Sequence, residues 1–356
     1  MGLFSWLNRK TRPHEEVKAN SNDTKKLPDS FDGKESSDSI DIKEFLTMEA
    51  TMSGPFTSGN LSMYLIHGAD LTATKFMTLE EALDNKKVVI EETGAVSRLR
   101  IKNDGDEAVF IQSGDIVKGG KQDRTLQHDM ILNSNSGFVQ MDAFCVESGR
   151  WCKRGAEDER TFSDSHHYLS SKPLRMAARR GTQNDVWKAV DTLQTRSANN
   201  AGVPLNHMQD AQSQTSLHLT LDSQKMQECT KQYIDDLTQV LNEKKDVLGC
   251  AFAINGEMNN IDVYSCNSLL KKMGAKLIKA AAVEAFSEQK KEGTKAPPTI
   301  PEVVTSMRNV AGTKSDMVIV NGKAEILMQE SDQDLLFETR DLTNGGQWLH
   351  RSYTAK

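Results

Sequence analysis

The chain has little cysteine, no surplus of positive charge and no long apolar run. Five cysteines are scattered over 356 residues, at Cys145, Cys152, Cys229, Cys250 and Cys266. The number is odd and no two stand as CxxC. That excludes a disulfide framework and makes a reducing compartment, the cytoplasm, the expected location. Lysine and arginine total 44 against 50 aspartates and glutamates, a formal charge of −6. Dedicated nucleic-acid binders carry a basic excess, so no nucleic-acid partner is expected. No apolar stretch approaches the ~18 residues of a spanning helix, and there is no internal repeat.

The first residues, MGLFSWLNRK, place Leu3, Phe4, Trp6 and Leu7 ahead of Lys10 and Arg12. A secretory signal has its charges first and a longer apolar stretch after them. Myristoylation favours Ser or Thr where Trp6 stands. Residues 1–12 therefore read either as a frayed tip or as a weak peripheral contact with a membrane or a protein. Through residue 44 the chain is polar and lacks apolar periodicity, the composition of a disordered tail.

Apolar residues make up 37% and charged residues 26%, which is globular composition. Residues 45–354 are expected to form a single α+β domain. Its antiparallel, β-rich half covers about 45–150, and helices alternating with β-hairpins follow from about 183 to 354. Short alternating or β-branched runs predict strands over 61–67, 87–92, 96–102, 108–118, 122–132 and 139–147, with a short helix over 78–85. The polar, basic stretch 150–182 reads as a long exposed loop. Helical spacing predicts helices over 184–196, over 223–245 behind an Asp222 cap, and over 268–289 behind an Asn267 cap. Hairpins are expected at 247–266, with a turn longer than two residues, and around Asn321-Gly322. Two more strands are predicted at 335–339 and 348–353. Hairpins imply antiparallel pairing, hence α+β rather than a doubly wound sheet.

Between Gly114 and Trp151 lies the densest polar segment. It is not a P-loop: five residues separate Gly114 from Gly120, where four are needed, and Gln122 follows Lys121 in place of Ser or Thr. It also lacks GxGxxG. A looser anion site remains open. Gly119-Gly120 permits close backbone approach and an amide nest, while Lys118, Lys121 and Arg124 would meet phosphate or carboxylate oxygens. The alternative is a bulge or turn with its charges in water. Strand alternation puts Cys145 and Glu147 on one face with Val139 and Met141. A carboxylate on such a face has a raised pKa and suits acid–base chemistry; the alternative is a buried ion pair with Arg124 or Arg150. Cys145 as a nucleophile would need a histidine, for which His128 is the candidate, whereas filling a core is the more usual role. His166-His167 and His207/His218 lack metal-ligand spacing. A magnesium site using Asp115, Asp123, Asp129 or Glu147 stays open, since phosphates supply the remaining ligands.

The runs Gly114-Asp115-Ile116-Val117-Lys118-Gly119-Gly120-Lys121-Gln122-Asp123-Arg124-Thr125-Leu126 and Phe144-Cys145-Val146-Glu147-Ser148-Gly149-Arg150-Trp151 resemble the bacterial "ARG and rhodanese-phosphatase-superfamily-associated protein" domain family. Gln183 with Val186-Trp187, the stretch from Gly249 to Gly256, and Ile261-Asp262-Val263-Tyr264 are similar too. The resemblance covers roughly 55–330. It implies gene neighbourhoods with ADP-ribosylglycohydrolases and rhodanese-like phosphatases, and so a place in NAD or ADP-ribose metabolism. No catalytic residue transfers with it, and Asp115 stands where the family pattern has Glu.

Three functions follow as expectations. One is an enzyme acting on a phosphate-containing nucleotide, with Asp123 and Glu147 as catalytic acids or Mg²⁺ ligands. Its ligand contacts would come from Lys118, Gly119, Gly120, Lys121, Gln122, Arg124, His128, Arg150 and Trp151. Another is a non-catalytic module binding the same ligand. The last is a scaffold recruited through its N-terminal tip, with Asp123, Arg124, Glu147 and Arg150 as a structural network.

Overall fold

Tight turns and alternating apolar residues fold about a third of the described residues into strands, nearly all of them in antiparallel ladders. The computed structural model describes residues 49–290, 293, 295–310 and 313–356, with only the backbone at 166 and 167. The expected tail and its tip, and the His166-His167 side chains, lie outside the described residues. In chain order the strands are β1 (Ala50–Ser58), β2 (Leu61–Gly68), β3 (Met77–Thr78), β4 (Val88–Glu92), β5 (Arg98–Asn103), β6 (Val109–Ile111), β7 (Asp115–Gly119), β8 (Arg124–Leu126), β9 (Met130–Leu132), β10 (Val139–Cys145), β11 (Phe162–Leu169), β12 (Val247–Ile254), β13 (Glu257–Tyr264), β14 (Ser315–Val320), β15 (Ala324–Glu330), β16 (Asp334–Asp341) and β17 (Gln347–Ala355). The helices are α1 (Leu79–Asp84), α2 (Lys172–Arg180), α3 (Gln183–Ala201), α4 (Leu217–Asp222), α5 (Gln224–Glu243), α6 (Asn267–Ser287) and α7 (Ile300–Arg308). This is the α+β class expected from the hairpins.

An eight-stranded antiparallel sheet runs β1-β2-β12-β13-β17-β16-β15-β14. Its centre is covered on both faces, so β12 is apolar throughout and β2 is apolar apart from Ser62 and His67, rather than alternating. Leu61, Met63, Leu65, Cys250 and Phe252 enter the core beneath α5 and α6. Tyr64, Ile66, Ala251 and Ala253 point the other way, into the core that includes Val303, Val304 and Met307 of α7. A six-stranded sheet, β11-β7-β8-β10-β5-β4, and a three-stranded sheet, β3-β6-β9, enclose a third core of Ile90, Leu99, Ile101, Val109, Ile111 and Leu132. The six-stranded sheet curls until its end strands meet: the Glu92 amide donates to Arg160 O at 2.8 Å, and Glu91 bridges Thr161.

Helix starts follow side-chain chemistry. Thr78 and Glu81 form a capping box on α1. Ser223, not Asp222, caps α5, its Oγ accepting from the Met226 amide at 3.2 Å. Nor is Asn267 a cap: Cys266 holds that position on α6, and Asn267 Nδ2 donates to Val247 O at 2.6 Å. The β12–β13 turn is the two residues Asn255 and Gly256, both at positive φ. Met258–Asn260 belong to the strand, and a bulge at Phe252/Ala253 restores the register.

Two expectations for the polar region are corrected. The runs 108–118 and 122–132 are each two strands, because both cross between the three-stranded and the six-stranded sheet. They cross side by side, tied where the Ser113 amide donates to Asp129 Oδ1 at 2.8 Å. The stretch 150–182 is not an exposed loop but carries β11 and α2. Two of its arginines are drawn inward by acids distant in sequence: Arg154 and Arg175 are 5% and 4% exposed.

Candidate functional site

The β7–β8 turn, the end of β10 and the start of α4 bring Asp123, Glu147, Arg150, Arg154 and Ser216 together. Asp123 and Glu147 are fully buried. Arg154 grips Asp123 with two nitrogens, at 2.8 and 3.2 Å. Ser216 Oγ donates to Asp123 Oδ2 at 2.9 Å, and the Gly119 amide donates to Oδ1 at 3.1 Å. Arg150 holds Glu147 through Nε at 2.7 Å and a terminal nitrogen at 2.7 Å. It also reaches Asp123 at 3.4 Å. The Asp123 amide closes the ring onto Glu147 Oε2 at 3.1 Å. Every oxygen of the two carboxylates is thus occupied by protein donors, as buried charges require. Of the ion pairs open to Glu147, the structure forms the one with Arg150. Arg124 turns instead to Glu92, at 3.4 Å.

The other candidates separate. Gln122 lies beside the network, donating to Glu147 O at 2.8 Å and accepting from the Cys145 thiol at 3.0 Å. Burial pushes that thiol up to about 11, so Cys145 is protonated at neutral pH. The Gly119 and Gly120 amides are both engaged, Gly120 with Asp158 O and Thr161 O. Arg124 and Trp151 meet at the edge of the network, with Lys121 Nζ 5.1 Å and the Arg124 guanidinium 6.0 Å from the Trp151 ring centroid. Lys118 lies near His218, which also faces Asp123 and Arg154. His128 is remote from the network and faces Arg179, Asp142 and Asp129, its pKa lowered by burial and then by Arg179.

Gly120 adopts φ +52°, and a Cβ there would stand 2.3 Å from the Phe162 ring. Gly120→Ala should therefore destabilise by about 1–3 kcal/mol, read from urea unfolding, combining left-handed strain with a displaced aromatic.

A second buried network escaped sequence reasoning. His350 on β17 is clamped between Asp129, at 2.7 Å from Nδ1, and Asp262, at 3.1 Å from Nε2. Arg175 backs Asp262 at 3.2 Å, Thr339 Oγ1 donates to Asp129 Oδ2 at 2.7 Å, and the Tyr264 ring stacks on the imidazole at 4.7 Å. Burial alone would lower the His350 pKa, but Asp129 and Asp262 outweigh it and raise it. Burial likewise works against ionised Asp129, yet His350 and Arg179 bring its pKa down to about 2. The one local signal was an acid, Asp262, within the apolar run Ile261-Asp262-Val263.

The four carboxylates considered for magnesium are each held by cations of the chain. Asp123 and Glu147 are held by Arg150 and Arg154, Asp115 by Lys276 at 3.0 Å, and Asp129 by His350. Among the described residues no group of three or more His, Cys, Asp or Glu is placed to hold a metal ion, so these residues do not fit a resident divalent cation. A cavity of 580 Å³ opens between α5 and α6, lined by Tyr168, Leu221, Ile234 and Lys279 among others, and includes none of the candidate residues. No helix among the described residues is long and apolar enough to cross a membrane.

No curated protein and no solved structure matches the chain. Residues 49–354, from the first strand to the last, match the model of the ARG and Rhodanese-Phosphatase-superfamily-associated Protein domain, ARPP-1, and the chain belongs to that family.

Proposed function

We propose that the protein is a non-catalytic binding module for a phosphate-bearing nucleotide of the ADP-ribose or NAD class. The carrying observation is Trp151, 44% exposed with Lys121 against its ring. Of the candidate residues, Lys118, Lys121, His128 and Trp151 reach solvent. An aromatic face beside a lysine suits a base and its phosphate: stacking contributes about 1–3 kcal/mol per base. Two buried polar atoms next to this edge, Arg124 Nε and Glu92 Oε1, have no partner among the described residues, and such atoms normally find one in a ligand or water. Binding is favoured over hydrolysis because Asp123 and Glu147 are fully occupied by donors. The family's association with the ARG and rhodanese-phosphatase superfamilies supports the ligand class.

The test is a thermal-shift titration with ADP-ribose, with and without Mg²⁺, using NAD and AMP as comparators. Ligand at ~100 times its Kd stabilises by roughly 2.7 kcal/mol. Trp151→Ala or Lys121→Ala should weaken binding by about tenfold, the equivalent of 1.4 kcal/mol. No shift with millimolar ligand overturns the proposal. Turnover of ADP-ribose that is lost in Lys121→Ala would make the module an enzyme.

A further inference from the structure

The eight-stranded sheet ends on β14, the sequence Ser315-Asp316-Met317-Val318-Ile319-Val320, and among the described residues this edge is unguarded. Met317, Val318 and Ile319 are 59%, 46% and 48% exposed. Side chains alternate across a strand, so apolar groups stand on both of its faces. Its inner side pairs with β15 over the whole strand, while its outer side has no strand neighbour among the described residues. Proteins commonly protect such edges with prolines, bulges, charges or covering elements. Here the one charge within the strand is Asp316, near its start.

The other sheet ends are guarded. Edge strand β1 carries Pro55 and a register break between Ser53 and Phe56, and α5 and α7 pack against it. In the six-stranded sheet β4 and β11 close on each other. The three-stranded sheet ends on β3 and β9, only two and three residues long. Among the described residues, β14 is the one long edge left open for pairing.

We infer that β14 is a homodimerisation edge, pairing antiparallel with β14 of a second copy across a two-fold axis at Val318. A second copy is the occupant that fits, because it offers an identical open edge and its other sheet ends are closed to β14. Antiparallel pairing of identical strands is self-complementary, as a two-fold interface requires. With the axis at Val318, Met317 lies opposite Ile319 of the other copy and Asp316 opposite Val320. Val318 then meets Val318, Met317 meets Ile319, and no like charges face each other. The two eight-stranded sheets become one continuous sheet.

The test is sedimentation velocity of the full chain across the micromolar range, where a species of twice the chain mass is expected. Val318→Lys should raise the dimer dissociation constant by about tenfold or more, because two like charges would face each other across the axis. Its exposed position leaves the fold intact, checked by an unchanged circular dichroism spectrum. In a Cys152→Ser background, Val318→Cys should cross-link into a dimer on mild oxidation, since directly opposed residues approach disulfide distance. Met317→Cys alone should not, because Ile319 of the other copy stands opposite it. A monomer at all concentrations, or a dimer indifferent to Val318→Lys, overturns the inference. Equal cross-linking by both cysteine variants overturns the register.

Discussion

Arg154→Met should lower the free energy of unfolding by about 3–5 kcal/mol, the usual cost of stripping one partner from a buried ion pair. Methionine fills much of the same space, so the loss is electrostatic rather than a cavity effect. Burial opposes the charge on Arg154, but Asp123 and Glu157 outweigh it and hold its pKa above the ordinary value. Without Arg154, Asp123 keeps the Ser216 hydroxyl, the Gly119 amide and the longer 3.4 Å contact to Arg150. One arginine would then serve two buried carboxylates. Arg154→Lys should recover only part of the loss, because an ammonium cannot span both Asp123 oxygens. Arg154→Met/Asp123→Leu should recover more, leaving Glu147 and Arg150 matched one to one. Urea unfolding of the four proteins decides the matter. A single-variant loss below about 1 kcal/mol, the range of exposed pairs, would mean that water reaches the network.

Asp262→Ala should cost a similar amount, about 3–5 kcal/mol, by leaving Arg175 without its carboxylate and His350 without one of two acceptors. The same string sets a pH dependence with two arms. The His350 pKa is raised on folding, so its contribution is complete below the unfolded value near ~6.5 and is lost as pH rises through the folded value. The Asp129 pKa falls from 3.8 to about 2. Its contribution is complete above the unfolded value and is lost as pH falls towards 2. At roughly 1.4 kcal/mol per pKa unit, that acid arm amounts to about 2–3 kcal/mol. The string's contribution should therefore be greatest between about pH 4 and 6.5. His350→Gln should flatten the alkaline arm. The direct measurement is the His350 ring resonance by NMR. Titration at or below the ordinary histidine value would show that the two aspartates do not hold a proton on the ring.

The two networks separate the candidate site into parts with different physical roles. Asp123 and Glu147 are bound to arginines inside the protein. Lys121 and Trp151 stand a few residues away and reach solvent. In the sequence these residues belong to one segment rich in polar residues, and nearness in the chain conceals the change from interior to surface.

What the sequence by itself determined was local. Strand alternation, the Asn321-Gly322 turn and the apolar stripes of α5 and α6 located most elements. Hairpin chemistry established the α+β class, and the two long motifs identified the family. Each of these depends on residues a few positions apart, where period and turn geometry act directly. The tertiary structure decided which charges are buried and with what. Arg154 and Arg175 sit in a stretch whose polarity reads as a loop. Their partners are 31 and 87 residues away. His350 meets Asp262 across 88 residues and Asp129 across 221. No local pattern encodes such pairings, because a charged side chain enters a core only when a partner is already there to meet it. That condition is met only once the sheets have assembled.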